Sequence, residues 1–394
     1  MKISRFTGAA ALVCLCGLTM PSFADDIDIF TTPNSATAAV ANVLIILDNT
    51  SNWSANNQQW PGNITQGQAE VNALSQVIGN LPASVNVGLM TLTTVSGNPG
   101  GMVVFGVKPM TSSNISTWQS WLTARFNNIT DPNWKASSNA NYGAAMFDAF
   151  KYFGGYTSPA HANDDVAGTP TDRTHFGLAR YADIPTAQVD SSAYSSNFAN
   201  YVSPITNPCV KNYVVFIGNG FPNADDTTLL SNVAGDATAV QPNAMDGGSK
   251  VYTADEWARY LFQTDVSAIS GQQNVVTYAI DVFGQKPGPT HPTQVTYLSN
   301  MAKAGGGKYY SAQSAADVLS ALEQVFAEIQ SVNTTFASAS LPISATNRTQ
   351  QANQVFIGMF RPDASAAPRW MGNMKQYQLI NSGSSVDLGD VNGT

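Results

Sequence analysis

The chain has 394 residues, a formal net charge of −8, 43% hydrophobic residues and only 11% charged ones. Length allows one large domain or two, and the acidic balance excludes nucleic acid as a natural partner, because a phosphate backbone is bound by clustered Lys and Arg. Abundant Asn, Ser, Thr, Gly and Ala suit an exported, neutral-polar surface better than a cytosolic enzyme.

The first element reads as an export signal. Lys2 and Arg5 precede an apolar run over 9–20, and Ser22-Phe23-Ala24 supplies a small-x-small cleavage site, so 1–24 is expected to be a signal peptide and Asp25 to open the mature chain. The run is too short for a membrane span. No later stretch is long enough to cross a bilayer, so no transmembrane segment is expected in the mature chain. Cys14 and Cys16 fall within the signal, which leaves Cys209 alone and without an internal disulfide partner.

After a lead-in over 25–40, ANVLIILD (41–48) is apolar without alternation, as in a strand buried on both faces. AEVNALSQVIGNLP (69–82) carries Val71, Leu74, Val77, Ile78 and Leu81 at helical spacing. Strands follow over 85–93 and 101–107, and the Ser-Gly-Asn-Pro-Gly-Gly segment between them predicts a hairpin. Helices are predicted over 112–126, with a Ser or Asn cap, and over 141–153, ending at Gly154-Gly155. The aromatic residues of these helices, Trp118, Trp121, Phe147 and Phe150, read as packing.

From 156 to 208 the period dissolves into Ser, Asn, Asp, Pro and Tyr, which reads as an insertion with interaction potential. The rhythm resumes with strands at 211–220, 274–281 and 307–312, and with helices at 253–264, 293–304 and 314–332. Strands alternating with helices predict an α/β fold, a doubly wound and mainly parallel sheet, over 41–332. Beyond 332 the alternation stops, and 333–394 reads as a linker and an incomplete all-β segment.

Ligands of such sheets bind beyond the carboxyl ends of the strands, where Asp48, Asn219 and Asp281 stand. Asp48, Thr50 and Asn52, with Ser51 and Ser54 beside them, offer oxygen atoms to a hard cation such as Mg²⁺. The loop before AAMFDAF adds Asn139 and Asn141, and the end of the 211–220 strand adds Asn219. Only Asp48 among these is ionised, so a second reading is that the polar residues cap helices and satisfy backbone groups at the sheet edge. His161, Asp164, Asp165, Asp172 and His175 match no established ligand spacing. AKAGGGKYY lacks the Ser or Thr of a phosphate loop, and no Gly-x-Ser-x-Gly elbow is present. No catalytic residue or organic cofactor is expected.

The strand order with Asp48-x-Thr50-x-Asn52 after the first strand resembles a von Willebrand factor A domain with a metal-ion-dependent adhesion site. NYGAAMFDAFKYFGG, SPITNPCVKNYVVFIGNGFPN, YLSNMAKAGGGKYYSAQSAADVLSALEQVFAEI, FASASLPIS and FIGMFRPDASAAPRWMGNMKQYQL resemble, in order, the PilY family of type IV pilus tip adhesins. The resemblance implies that 333–394 begins a β-propeller-like module. It also implies that Asp48, Thr50 and Asn52 form the first adhesion-site loop, Asn141 stands near the threonine position and Asn219 at the second aspartate position. Three amides in place of the usual residues argue against tight Mg²⁺ binding. The resemblance further implies a non-enzymatic adhesin and pilus biogenesis factor, exported to the periplasm or outer surface at the pilus tip. Its partners would be minor pilins and a host or abiotic surface ligand. The alternative is a stand-alone secreted, metal-dependent A-type binding module unconnected to pili.

Overall fold

The structure, a computed structural model, describes residues 41–56, 59–94, 100–136, 140–156, 188–195, 200–208, 210–223, 251–282, 291–333, 336–340, 354–361, 371–381 and 386–389. The expected signal peptide and lead-in, Asn139, the His161 to His175 loop and Cys209 lie outside the described residues.

Six strands form the central sheet: β1 (Ala41–Leu47), β2 (Val85–Leu92), β3 (Gly101–Pro109), β4 (Asn212–Gly218), β5 (Val275–Asp281) and β6 (Gly306–Ser311). Their order is β3-β2-β1-β4-β5-β6. Only the β2–β3 hairpin is antiparallel; the other pairs run parallel. The doubly wound, mainly parallel α/β class read from the sequence is the one observed. β1 and β4 are buried at every residue, which is why their sequences are continuously apolar rather than alternating.

Helices cover both faces. α1 (Gln66–Gly79), α2 (Ser112–Asn127) and α6 (Ala315–Asn333) pack Leu74, Trp118, Leu122, Val318 and Leu322 on Val43, Ile45 and Leu47 of β1. α3 (Tyr142–Gly154), α4 (Ala254–Gln263) and α5 (His291–Ala304) pack Phe147, Trp257 and Leu298 on the other face, with Leu44 and Ile46. One strand thus sends alternate side chains into two separate cores.

Local chemistry fixes the element ends. Thr65 and Gln68 form a reciprocal capping box at the start of α1. Thr111 caps α2, accepting from Asn114 N at 3.3 Å; the residue one place before the expected Ser or Asn takes the role because its hydroxyl already faces the free amides of the first turn. α3 stops at Gly155, whose φ of 72° is the left-handed conformation that glycine adopts without a Cβ penalty.

Two polar devices set register and shield the edge. Asn86, Asn42 and Asn212 are neighbours across β2, β1 and β4, and their amides join at 2.9 and 3.1 Å. A one-residue slip would bury these amides unpaired, so the ladder penalises misregister. At the outer edge of β3, the amides of Gly101, Val103, Gly106 and Val107 donate to Asp148, Tyr194, Asp190 and Tyr152 respectively, at 2.8 to 3.1 Å. Described parts of the 156–208 insertion therefore pack on the domain, with Tyr194 and Tyr201 buried in the α3 core.

Four further strands, β7 (Phe336–Ser340), β8 (Gln354–Arg361), β9 (Met371–Asn381) and β10 (Val386–Gly389), form an antiparallel sheet of order β10-β9-β8-β7. This is the all-β segment expected after 332.

Candidate functional site

The sheet order reverses direction between β1 and β4, and a crevice at such a switch point is where doubly wound sheets place ligands. Asp48 follows β1 and Asn219 follows β4; both are fully buried. The chain after Asp48 turns through a short 3₁₀ segment, Ser51–Ser54. Trp53 from that segment is buried against Gly67, where a Cβ would come within 2.5 Å of the indole and of the Trp53 carbonyl. This close approach ties the loop to the first turn of α1.

Asp48 is held by four donors. Thr50 donates to Oδ1 through its amide at 2.9 Å and its hydroxyl at 2.6 Å. Tyr142 Oη lies 2.6 Å from Oδ2, and the Asn219 amide N donates to Oδ2 at 3.4 Å. The Tyr142 hydroxyl is also 2.9 Å from the Gly220 carbonyl. It has one proton for two acceptors: with Asp48 ionised the proton goes to the carboxylate, and with Asp48 protonated it turns to Gly220. Burial raises the Asp48 pKa, and the Thr50, Tyr142 and Asn219 hydrogen bonds oppose it.

A second carboxyl lies beneath. Glu70 of α1 is fully buried and accepts one hydrogen bond, from Asn219 Nδ2 to Oε1 at 3.1 Å. Asn219 therefore serves both acids, with its backbone amide on Asp48 and its side-chain amide on Glu70. Burial pushes the Glu70 pKa well above the ordinary carboxylate range; the Asn219 bond opposes this and the Asp48 charge adds to it.

Four polar atoms here have no hydrogen-bond partner among the described residues: Glu70 Oε2, Asn219 Oδ1, and both amide atoms of Gln66, one turn before Glu70. Each such atom costs about 1–3 kcal/mol if left bare, so groups of this kind mark a place for water or an ion. Beside Asp48, a Cβ built on Gly220 would sit 3.1 Å from the Asn52 amide nitrogen, 3.5 Å from Asp48 Oδ2 and 3.6 Å from Thr50 Oγ1. Glycine leaves a cradle open there with oxygen-bearing groups around it. Two carboxyls with amide and hydroxyl oxygens are the donor chemistry of a hard cation. Among the described residues no group contains three or more His, Cys, Asp or Glu.

Asp48, Thr50, Asn52 and Asn219 thus come together. Asn141 does different work: its Oδ1 accepts from Ala144 N at 2.8 Å and caps α3, the structural role that the sequence left open for these amides. Its neighbour Tyr142 reaches the site instead. Asp281, at the end of β5, accepts from Tyr309 Oη at 3.0 Å and from Gln294 Nε2 at 3.5 Å. Sequence reasoning missed Glu70 and Tyr142. The available signal for Glu70 was its place one turn before Leu74 in the apolar stripe of α1, where a surface Glu does not belong; Tyr142 carried none.

The solved structures to which the chain is similar include several described as von Willebrand factor A domains. A von Willebrand factor type A structure from Catenulispora acidiphila is 8% identical with a TM-score of 0.38, covering 85% of this chain and 65% of that one. The ArnB paralog VWA2 from Sulfolobus acidocaldarius is 7% identical with a TM-score of 0.34, covering 86% and 65%. The PilB minor pilin from Streptococcus sanguinis is 11% identical with a TM-score of 0.35, covering 74% and 62%. The chain spans less than two thirds of the length of each of these three. No protein-family model matches the chain, and no curated protein matches it.

Proposed function

We propose that the protein is an exported, non-enzymatic binding module of the von Willebrand factor A type, whose sheet-end site holds a hard divalent cation. The observation that carries this reading is the pair of buried carboxyls, Asp48 and Glu70, sharing Asn219 at the β1/β4 switch point. Asp48, Glu70, Thr50, Asn52 and Asn219 would hold the ion. When bound, a cation such as Mg²⁺ supplies a Lewis-acidic point for an oxygen-bearing partner. The hydroxyls that touch Asp48, those of Thr50 and Tyr142, are committed to its carboxylate, which favours binding over nucleophilic chemistry.

The finer reading is an adhesin and assembly factor at the type IV pilus tip, with minor pilins and a surface ligand as partners. It is supported by the resemblance of FASASLPIS and FIGMFRPDASAAPRWMGNMKQYQL to the PilY family. No helix among the described residues is long and apolar enough to cross a membrane. Co-purification of minor pilins with the full chain, and loss of piliation and adhesion in a deletion strain, test this reading. Failure of both would leave the module without a pilus role.

A further inference from the structure

A cavity of about 460 Å³ opens at the edge of the sheet, between β3, α2 and residues 188–190, away from the switch point. Its size is that of a small-ligand cleft, which spans roughly 300–1,000 Å³. One wall is aromatic. Phe105 stacks on Trp118 at 4.8 Å, Trp121 meets Phe105 edge-on at 5.8 Å, and Trp134 stands at 86° to Trp121 at 5.3 Å. Trp118 is buried, while Phe105, Trp121 and Trp134 are half-buried and lend ring surface to the cavity. Trp121 Nε1 has no acceptor among the described residues.

The polar lining is neutral in sum. Lys108 and Asp190 pair at 2.7 Å. Asn114 spends its amide donor on the Pro109 carbonyl and keeps Oδ1. Thr117 spends its proton on Ser113 and keeps its lone pairs, and Gln188 uses Oε1 for Thr94 and keeps its NH₂. Acceptors and a donor thus stand beside aromatic ring surface that lines the cavity, which is what a sugar needs: an apolar wall for its C–H face and groups that both give and take hydrogen bonds.

Other ligand classes fit less well. A peptide adding as a strand would need the β3 edge amides, and those of Gly101, Val103, Gly106 and Val107 are taken. An organic cation would seek the indole faces, but the Arg125 guanidinium lies 4.5 Å from the Trp134 ring and 5.3 Å from the Trp121 ring, repelling a second positive charge. A phosphate would need an unpaired cation in the lining, and its one lysine is paired.

We propose that this cavity is a saccharide-binding site, taking a neutral mono- or disaccharide against Trp121 and Trp134 with Asn114, Thr117 and Gln188 reading its hydroxyls. It would be a second site, separate from the sheet-end one. The test is saturation-transfer NMR and tryptophan fluorescence on the full chain, with glucose, galactose, mannose, N-acetylglucosamine and lactose, in EDTA. At least one sugar should bind saturably. The Asn114→Ala/Gln188→Ala variant, whose substitutions leave the apolar core intact, should lose about tenfold in affinity, equivalent to ~1.4 kcal/mol of hydrogen bonding, with an unchanged circular dichroism spectrum. Asp48→Asn should bind the sugar as the parent does, so a failure here and a failure of the cation reading are told apart. No saturable binding by any of the five sugars, equal affinity in the double variant, or preference for a choline probe would each overturn the proposal.

Discussion

Replacing Glu70 by glutamine should remove a pH-dependent weakness from the folded chain. Glu70 is fully buried with one hydrogen bond, and burial raises its pKa well above the reference value of 4.5. A carboxyl raised on folding favours the native state while it is protonated, below its unfolded pKa. That contribution is lost as pH rises above about 4.5 toward the folded pKa, because the native state must hold a proton that the unfolded chain releases. Each pH unit in this window costs about 1.4 kcal/mol, which for a domain of this size is a Tm fall of about 2–3 °C. The glutamine side chain would keep the Oε1 acceptor for Asn219 and cannot ionise. Thermal melts of the parent and Glu70→Gln at pH 5, 6, 7 and 8 in EDTA should therefore diverge, with the variant gaining relative to the parent as the pH rises from 5 and the gain levelling off once the pH passes the raised folded pKa. Saturating Mg²⁺ should raise the parent Tm, since a ligand bound only by the native state stabilises it, and should not move the variant. Parallel pH profiles in EDTA would refute the reasoning, because Glu70 would then carry no proton of its own on folding.

Other outcomes follow from the same structure. Asn219→Asp places a third carboxyl beside Glu70 and Asp48; in EDTA the Tm should fall, and in Mg²⁺ or Mn²⁺ it should recover beyond the parent's response, read by melts with and without the ion. Asp148→Ala removes the carboxylate that lies 3.0 Å from the fully buried Lys151 ammonium, and also strips the acceptor from Gly101 N. A loss of about 3–5 kcal/mol is expected by urea denaturation, with much of it restored by the added Lys151→Met change. Gly67→Ala drives a methyl into the Trp53 ring and carbonyl; overpacking of this kind costs about 1–3 kcal/mol and should also weaken ion binding, because Trp53 fixes the loop after Asp48.

The doubly wound, mainly parallel class of the sheet was legible because β1, β4 and β5 are buried along nearly their whole length and read as apolar runs alternating with helices; the strand order was not read from the sequence. The hairpin of β2 and β3 was legible from its turn residues. Asp48 was legible because strand ends in this fold class gather ligands. Glu70 was read past: a glutamate on an amphipathic helix is ordinarily solvated, its place in the apolar stripe was the one hint of burial, and its partner Asn219 arrives from 149 residues away, just past β4. Asn141 and Asn219 look alike in sequence, yet one caps a helix and the other bridges two acids, because the backbone at 141 presents its side chain to the Ala144 amide. The capped edge of β3 depends on Tyr194 and Asp190 arriving from a stretch with no period of its own.

The most direct measurement is a calorimetric titration of the full chain with Mn²⁺ and Mg²⁺ at pH 7.5, repeated on Asp48→Asn and Glu70→Gln with their folds verified by circular dichroism. Saturable binding of one ion per chain, lost in both variants, is the predicted result. No heat and no change in Tm with either ion, or binding that survives both substitutions, would contradict the assignment of the sheet-end site.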